Sequence, residues 1–317
     1  MRYALALALS LFAAAAPAQD YPTRPVRLIM PNAPGSSIDT VGRLIGVRLG
    51  EVLGQTIVIE NRAGAAGAIG IESAKTANPD GYTLLFASAS GMSIAPLLQK
   101  KIPYDPLNDF AFVSLVAVMP NVLVVNPALP IGSVKELVEY SRANKGKVNM
   151  ASAGPGAASH LGGVLLMVMA DFESLHVPYK GGGPSVASVV AGESHWTIAP
   201  APAAMSLVKS GRLRAIAHSM PTRAPLFGDM PTVAETVPGF EATTWFAMFA
   251  PAGTPPDVVA RLNGEMKRVF ALPDVQDRLK TIGLEPWLST PDELAKFQAA
   301  EIVKWAKVVK DSGAKAE

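Results

Sequence analysis

Four times along this chain a short apolar run passes through a turn of Gly, Ser or Pro into the start of a helix. That recurrence restricts the fold more than any other feature of the sequence. Val26–Met30 leads through Pro31, Asn32, Ala33, Pro34, Gly35, Ser36 and Ser37 to Asp39, and Tyr82–Ala87 ends at Ser88-Ala89-Ser90-Gly91. Val148–Ser152 runs into Ala153-Gly154-Pro155-Gly156-Ala157-Ala158-Ser159-His160, and His176–Tyr179 runs into Lys180-Gly181-Gly182-Gly183-Pro184. Buried strands alternating with helices are the pattern of an α/β protein. Each junction places helix-start N–H groups, which lack partners within the helix, at the end of a strand, where the helix dipole favours an anion. Ser36 followed by Asp39 also fits a Ser-x-x-acid cap.

The chain has 317 residues, of which 49% are hydrophobic and 17% charged, which is enough apolar material for about two ordered domains. Residues 1–18 read as a secretory signal peptide: Arg2 gives a basic start, Ala4 to Ala14 an apolar stretch, and Ala16-Pro17-Ala18 a small-x-small cleavage site. No later segment has the ~18 uninterrupted apolar residues of a membrane span, so the reading is an exported, soluble chain that starts near Gln19. The absence of Cys removes disulfides and thiolate chemistry. A net charge of +2, with no Lys/Arg run longer than two, argues against a nucleic-acid partner.

Pro120 separates two β-rich runs, Ser114–Val118 and Val122–Val125, and an aromatic β-rich run, Phe240–Ala250, follows much later. The chain is therefore expected to leave a first domain near residue 118 and return near 246. This gives domain 1 as residues 19–118 plus 246–317, and domain 2 as residues 119–245. Gly54 fits a stop for the helix Ile38–Leu53. Ser133 and Glu136 fit a capping box, and two later helices are expected to start with Thr254-Pro255-x-Asp257 and Thr290-Pro291-x-Glu293, the Thr capping in each. The last helix carries an apolar stripe of Leu294, Phe297, Trp305 and Val308, interrupted by Glu301.

Catalytic signatures are weak. Gly154-x-Gly156 departs from the dinucleotide fingerprint because Ser159 stands where the third Gly belongs. His160, His176, His195 and His218 have no metal-ligand spacing, and no Gly-x-Ser-x-Gly nucleophile elbow occurs. No cofactor or metal is expected. The Gly154–His160 loop instead offers backbone N–H groups, a hydroxyl and an imidazole at a helix start, which is chemistry for a carboxylate.

Several segments together resemble the Bug family, the periplasmic solute receptors of tripartite tricarboxylate transporters. They are Pro34-Gly35 to Asp39, Ile59-Glu60-Asn61-Arg62-x-Gly64, Pro79-Asp80-Gly81-Tyr82-Thr83-Leu84, Tyr104-Asp105-Pro106, Gly154 to Leu161, and Val177-Pro178-Tyr179-Lys180-Gly181-Gly182. The resemblance continues through Trp245, Pro251-Ala252-Gly253-Thr254-Pro255 and Trp305-Ala306-Lys307-Val308-Val309. It implies a two-domain periplasmic-binding-protein type II fold, each domain a mixed, mostly parallel sheet flanked by helices, with a cleft between.

The family's carboxylate site, formed by two facing strand-to-helix loops and partly through water, maps onto Asn32, Pro34, Gly35, Ser36, Ser37 and Asp39 in one domain. In the other it maps onto Gly154, Gly156, Ala158, Ser159 and His160, with Ser88, Ser90 and Tyr179 as further wall residues. Ala199 stands where many members carry an acid, Asn32 where they carry an aromatic residue, and Ser36-Ser37 where they carry a small Gly-led pair. The implied protein is a periplasmic monomer, not an enzyme. It binds a small organic carboxylate without an amine, a dicarboxylate by preference, aliphatic or aromatic, and delivers it to the membrane components of a transporter. The competing readings are a secreted enzyme acting on a carboxylate in the same cleft and a receptor that reports to a sensor protein.

Overall fold

The computed structural model describes residues 21–99 and 101–312, so the signal peptide read from residues 1–18 lies outside the described residues. From the start, β1 (Val26–Met30) feeds α1 (Ser37–Leu53). That helix starts where the sequence expects, because Ser36 stays extended and its side chain accepts the Asp39 N–H, and it stops at Gly54, which turns left-handed at φ 68°. There follow β2 (Ile57–Asn61), α2 (Ala68–Lys75), β3 (Thr83–Ser88), a π-helical turn over Ser90–Ile94, α3 (Ala95–Leu98) and β4 (Phe110–Met119). The middle of the chain is β5 (Asn121–Val125), α4 (Val134–Ala143), β6 (Asn149–Ser152), α5 (Ala158–Met169), β7 (Leu175–Pro178), α6 (Gly182–Ala191), β8 (Trp196–Pro200), α7 (Ala201–Lys209) and β9 (Arg214–His218). The last part is β10 (Thr244–Pro251), α8 (Pro256–Phe270), α9 (Pro273–Thr281), β11 (Glu285–Pro286) and α10 (Pro291–Ser312).

Among the described residues these strands form two sheets, in the orders β11-β4-β10-β3-β1-β2 and β7-β6-β8-β5-β9. Parallel pairing joins β1 to β2 and β3, and β6 to β7 and β8. Antiparallel pairing sets β10 against β3 and β4, β11 against β4, and β5 against β8 and β9. Both sheets are mixed, with a smaller parallel share than expected, because the strands that carry the chain from one sheet to the other lie antiparallel to their neighbours. The expected crossing residues 119 and 245 fall inside β4 and β10, both in the first sheet.

Each sheet is covered on both faces, and side chains alternate between them. In the first, Leu28, Phe86 and Met248 face the core shared with Ile45 of α1 and Leu262 of α8, while Ile29, Leu85 and Phe249 face Ile71 of α2. In the second, Leu123, Met150, Trp196 and Ile198 pack on Leu161 and Leu166 of α5, while Val122, Ala151 and Ala199 pack on Val186 of α6 and Ala204 of α7. Full burial of each large apolar side chain stabilises by about 1.5–3 kcal/mol, so the four packed layers supply the cohesion that Cys-free chains need.

Two elements tie the halves together. Leu294 of α10 packs in the first sheet's core, whereas Trp305 and Val308 of the same helix, and Ile94 ahead of α3, belong to the core of the second. Glu301, which breaks the apolar stripe of α10, is 3% exposed. It accepts hydrogen bonds from Trp245 Nε1 and Trp305 Nε1, both at 2.9 Å, and pairs with Lys304. The interruption is thus a satisfied buried acceptor.

The expected Thr254 cap is corrected. Pro255 is the N-cap of α8, and the Thr254 hydroxyl instead donates to the Pro251 carbonyl at 2.8 Å. Pro256 holds the residue before it in extended backbone, so the helix cannot begin before 256. The Thr290 cap forms, with Glu293 N–H bonded to Thr290 Oγ1 and Thr290 N–H to Glu293 Oε2.

Candidate carboxylate site

In the first sheet, the loop from β1 to α1 carries Asn32, Pro34, Gly35, Ser36, Ser37 and Asp39. Asp39 is buried and turned back on its own loop. Its carboxylate accepts from Gly35 N–H at 2.9 Å, from Arg43 Nε at 3.0 Å and from Asn61 Nδ2 at 2.8 Å, and Asn61 also reaches the Asn32 carbonyl. Burial pulls the Asp39 carboxyl upward, but Arg43, the Gly35 amide and Asn61 outweigh it and hold the group below its usual range. Asp39 therefore stays ionised and shapes the loop. Ser36 Oγ is committed to the Asp39 N–H at 3.3 Å. Gly35 has a φ of 81°, and a Cβ there would meet no heavy atom within 4 Å, so this turn borders open space.

Ser88 and Ser90 follow β3, which lies beside β1. Ser88 ends that strand, half-buried, and Ser90 begins the π-helical turn, exposed. A short step on, Leu98 Cδ1 lies 2.8 Å from where a Cβ of Gly156 would stand, so the Ser88–Leu98 stretch abuts the loop of the second sheet.

That second loop joins β6 to α5. Its amides are largely used internally: Ala153 N–H donates to Ser159 Oγ at 2.9 Å, Gly154 N–H to Ser152 Oγ at 3.1 Å, Gly156 N–H to His160 Nδ1 at 3.1 Å, and Ala157 N–H to the Gly154 carbonyl at 3.2 Å. Helix α5 has no side-chain cap at Ala157, and its first intrahelical bond is Leu161 N–H to the Ala157 carbonyl. The N–H groups of Ala158 and Ser159 are left at an uncapped helix start. The neighbouring α6 is also uncapped: Gly181 precedes it at φ 110°, its first bond is Ser185 N–H to the Gly181 carbonyl, and Pro184 brings no N–H. A Cβ on Gly181, Gly182 or Gly183 would meet nothing within 4 Å. The two starts are stitched side by side by Tyr179 N–H to the Ser152 carbonyl at 2.9 Å and Gly181 N–H to the Ala153 carbonyl at 3.1 Å. The result is a cluster of backbone donors facing open space, an arrangement that receives anions.

The expected residues sort into three groups. Asn32, Pro34, Gly35, Ser36, Ser37, Ser88 and Ser90 stand together at neighbouring strand ends of the first sheet, and Gly154, Gly156, Ala158, Ser159 and Tyr179 do so on the second. Two of the expected residues stand apart from these. Ala199 lies within β8, 2% exposed, packed with Val122, Ala151 and Val186. His160 is buried, with its ring spent on the Gly156 amide and stacked on His176, so it supports the loop from behind. The Gly-Gly-Gly-Pro run marked a helix start, but Gly182 and Gly183 were not among the residues expected at the site. Nor were Arg43 and Asn61, the partners of Asp39; only the i,i+4 spacing of Arg43 was available as a signal.

Residues 41–314 match the model of the tripartite tricarboxylate transporter family receptor. Protein BugT of Bordetella pertussis (strain Tohama I) is 37% identical over 311 residues, covering 98% of this chain and 95% of that protein. The solved structure of R. palustris Rpa4515 with adipate is 34% identical, with a TM-score of 0.76, and covers 93% of this chain and 99% of its own. MatC from Rhodopseudomonas palustris with bound malate is 32% identical, with a TM-score of 0.72, covering 91% and 100%.

Proposed function

The chain belongs to the receptor family of tripartite tricarboxylate transporters, and from that membership we propose that it is a periplasmic solute receptor that binds a small organic dicarboxylate and surrenders it unchanged to a membrane transporter. The observation that carries this reading is the pair of uncapped helix starts at Ala158 and Gly182, stitched side by side and open to solvent. Two relatives more than 30% identical, matched along almost their whole length, are named with adipate and with malate. One carboxylate is taken by the N–H groups of Ala158 and Ser159, and the other by the loop from Asn32 to Ser37 with Ser88 and Ser90. Residues 1–18 direct export and are removed, and the receptor acts as a monomer that holds the ligand between its two sheets. Among the described residues no helix is long and apolar enough to cross a membrane.

A thermal-shift panel on the chain lacking residues 1–18 tests this. Adipate, malate and succinate should raise the melting temperature in proportion to RT ln(1 + [L]/Kd), and neutral sugars should not. Stabilisation by sugars alone would remove the carboxylate reading, and turnover of an acid without a stable complex would replace the receptor by an enzyme.

A further inference from the structure

His160 and His176 stack face to face, with ring centroids 3.9 Å apart and planes within 10°. One comes from α5 and the other from β7, and both serve the same turn. His160 Nδ1 accepts the Gly156 N–H at 3.1 Å. His176 Nε2 lies 2.6 Å from Ser152 Oγ, which accepts the Gly154 N–H at 3.1 Å. The two left-handed glycines of the loop, Gly154 at φ 125° and Gly156 at φ 73°, are thus each held by an imidazole, directly or through one hydroxyl. Since an N–H bonds only to a lone pair, His160 Nδ1 is unprotonated and its proton sits on Nε2.

We infer that His160 and His176 are positioning residues for the carboxylate loop, and that His160 fixes the turn that presents the Ala158 and Ser159 amides only while its ring is neutral, so that acid weakens capture of the ligand. This inference rests on the receptor reading above. A proton added to His160 goes to Nδ1 and turns the acceptor of the Gly156 amide into a second donor, which breaks the bond. Two parallel rings at this distance also cannot both carry charge cheaply.

The charges around the pair do not offset this. A cavity of about 720 Å³ beside the rings is lined by Arg142, Lys145, Asp171, Glu173 and, from α10, Asp311. Arg142 stands 3.8 Å from Asp171 and Lys145 3.2 Å from Glu173, which leaves Asp311 as the one unmatched charge of the five. Burial, then the neighbouring His176, pushes His160 down to about 4, and burial lowers His176 too.

The test is calorimetric titration of the mature chain with adipate and with malate between about pH 7.5 and pH 4, where His160 begins to charge, on the wild type, His160→Ala and His160→Asn. Asn places an oxygen acceptor where Nδ1 stood and does not titrate. His160→Ala should bind about tenfold more weakly at neutral pH, as a lost loop bond implies, and His160→Asn should restore most of that affinity. The wild type should lose affinity on acidification more steeply than His160→Asn, ligand protonation being common to both. Parallel pH profiles, tighter wild-type binding in acid, or an alanine variant that binds like wild type would overturn the inference. If the wild type binds neither acid at any pH, the receptor reading itself has failed. Should His160→Ala not fold, imidazole nitrogen NMR of the wild type decides: an Nε2–H tautomer at His160 supports the inference and an Nδ1–H tautomer overturns it.

Discussion

The side-chain amide of Asn121 donates to the Ala242 carbonyl at 2.6 Å, which ties the strand that enters the second sheet to the chain returning to the first. Ser219 completes the junction: its hydroxyl accepts the Asn121 N–H at 2.9 Å, its own N–H meets the Asn121 carbonyl at 2.9 Å, and its carbonyl accepts from Ala242 N–H at 3.3 Å. Asn121 is 2% exposed. Replacing it with Leu strands a buried carbonyl and should cost about 1–3 kcal/mol in urea unfolding. A midpoint and slope equal to wild type would show that the two crossings are not coupled through this side chain.

Ser159→Asp places a negative charge at the uncapped start of α5. Like charges in a site of intermediate dielectric should cost about 1–4 kcal/mol of dicarboxylate affinity, severalfold to thousandfold. The Ala153 amide keeps an acceptor, and Asp suits a helix start, so the melting temperature should hold. Unchanged acid binding in a folded variant would remove this loop from the site.

Much of the fold was legible because its signals are local. Val26–Met30 is the observed β1, Ser36 and Thr290 cap as their spacing says, and Gly54 stops α1. Where the reading failed, the deciding partner was distant or a neighbour overrode the motif. Pro256 displaced the Thr254 cap. Phe240 read as part of β10, yet it packs in the second core and the strand starts at Thr244. The site was legible as loops but not as atoms: nothing in Ser159 or His160 reveals that each is spent on a loop amide, since the acceptor geometry comes from β6 and β7 closing behind them.

Acid should destabilise the folded chain even without ligand. Burial lowers His160, His176, His195 and His218. The unfolded chain protonates His near pH 6.5, about where the folded rings are still neutral, so it binds more protons and stability falls as pH drops from there toward about 4. Asp39, held low, extends the decline to more acid pH, its contribution being present above its unfolded value and lost as pH falls through its folded pKa. His218 is fully buried, stacks on Phe227 at 4.5 Å, and has no hydrogen-bond partner on either nitrogen. His218→Leu should therefore flatten part of the decline in melting temperature. A profile that falls as steeply as wild type would show that His218 does not contribute.

The ligand should carry no amine. An ammonium desolvated in a closing cleft needs an anionic partner, and an unpaired buried charge costs far more than one neutral hydrogen bond returns. Residues Trp196 to Leu207 hold no carboxylate, and the carboxylate of Asp39 is already shared among Gly35, Arg43 and Asn61. Succinate should bind more tightly than aspartate, and glutarate more tightly than glutamate. Tighter binding of either amino acid would reveal an acidic group in the site that these loops do not supply.

Isothermal titration of the mature chain with adipate and malate, alongside glucose, measures the central claim most directly. Saturable one-to-one binding of at least one dicarboxylate, with no heat from the sugar, is the predicted result. Saturable binding of the sugar with no response to either acid would contradict it.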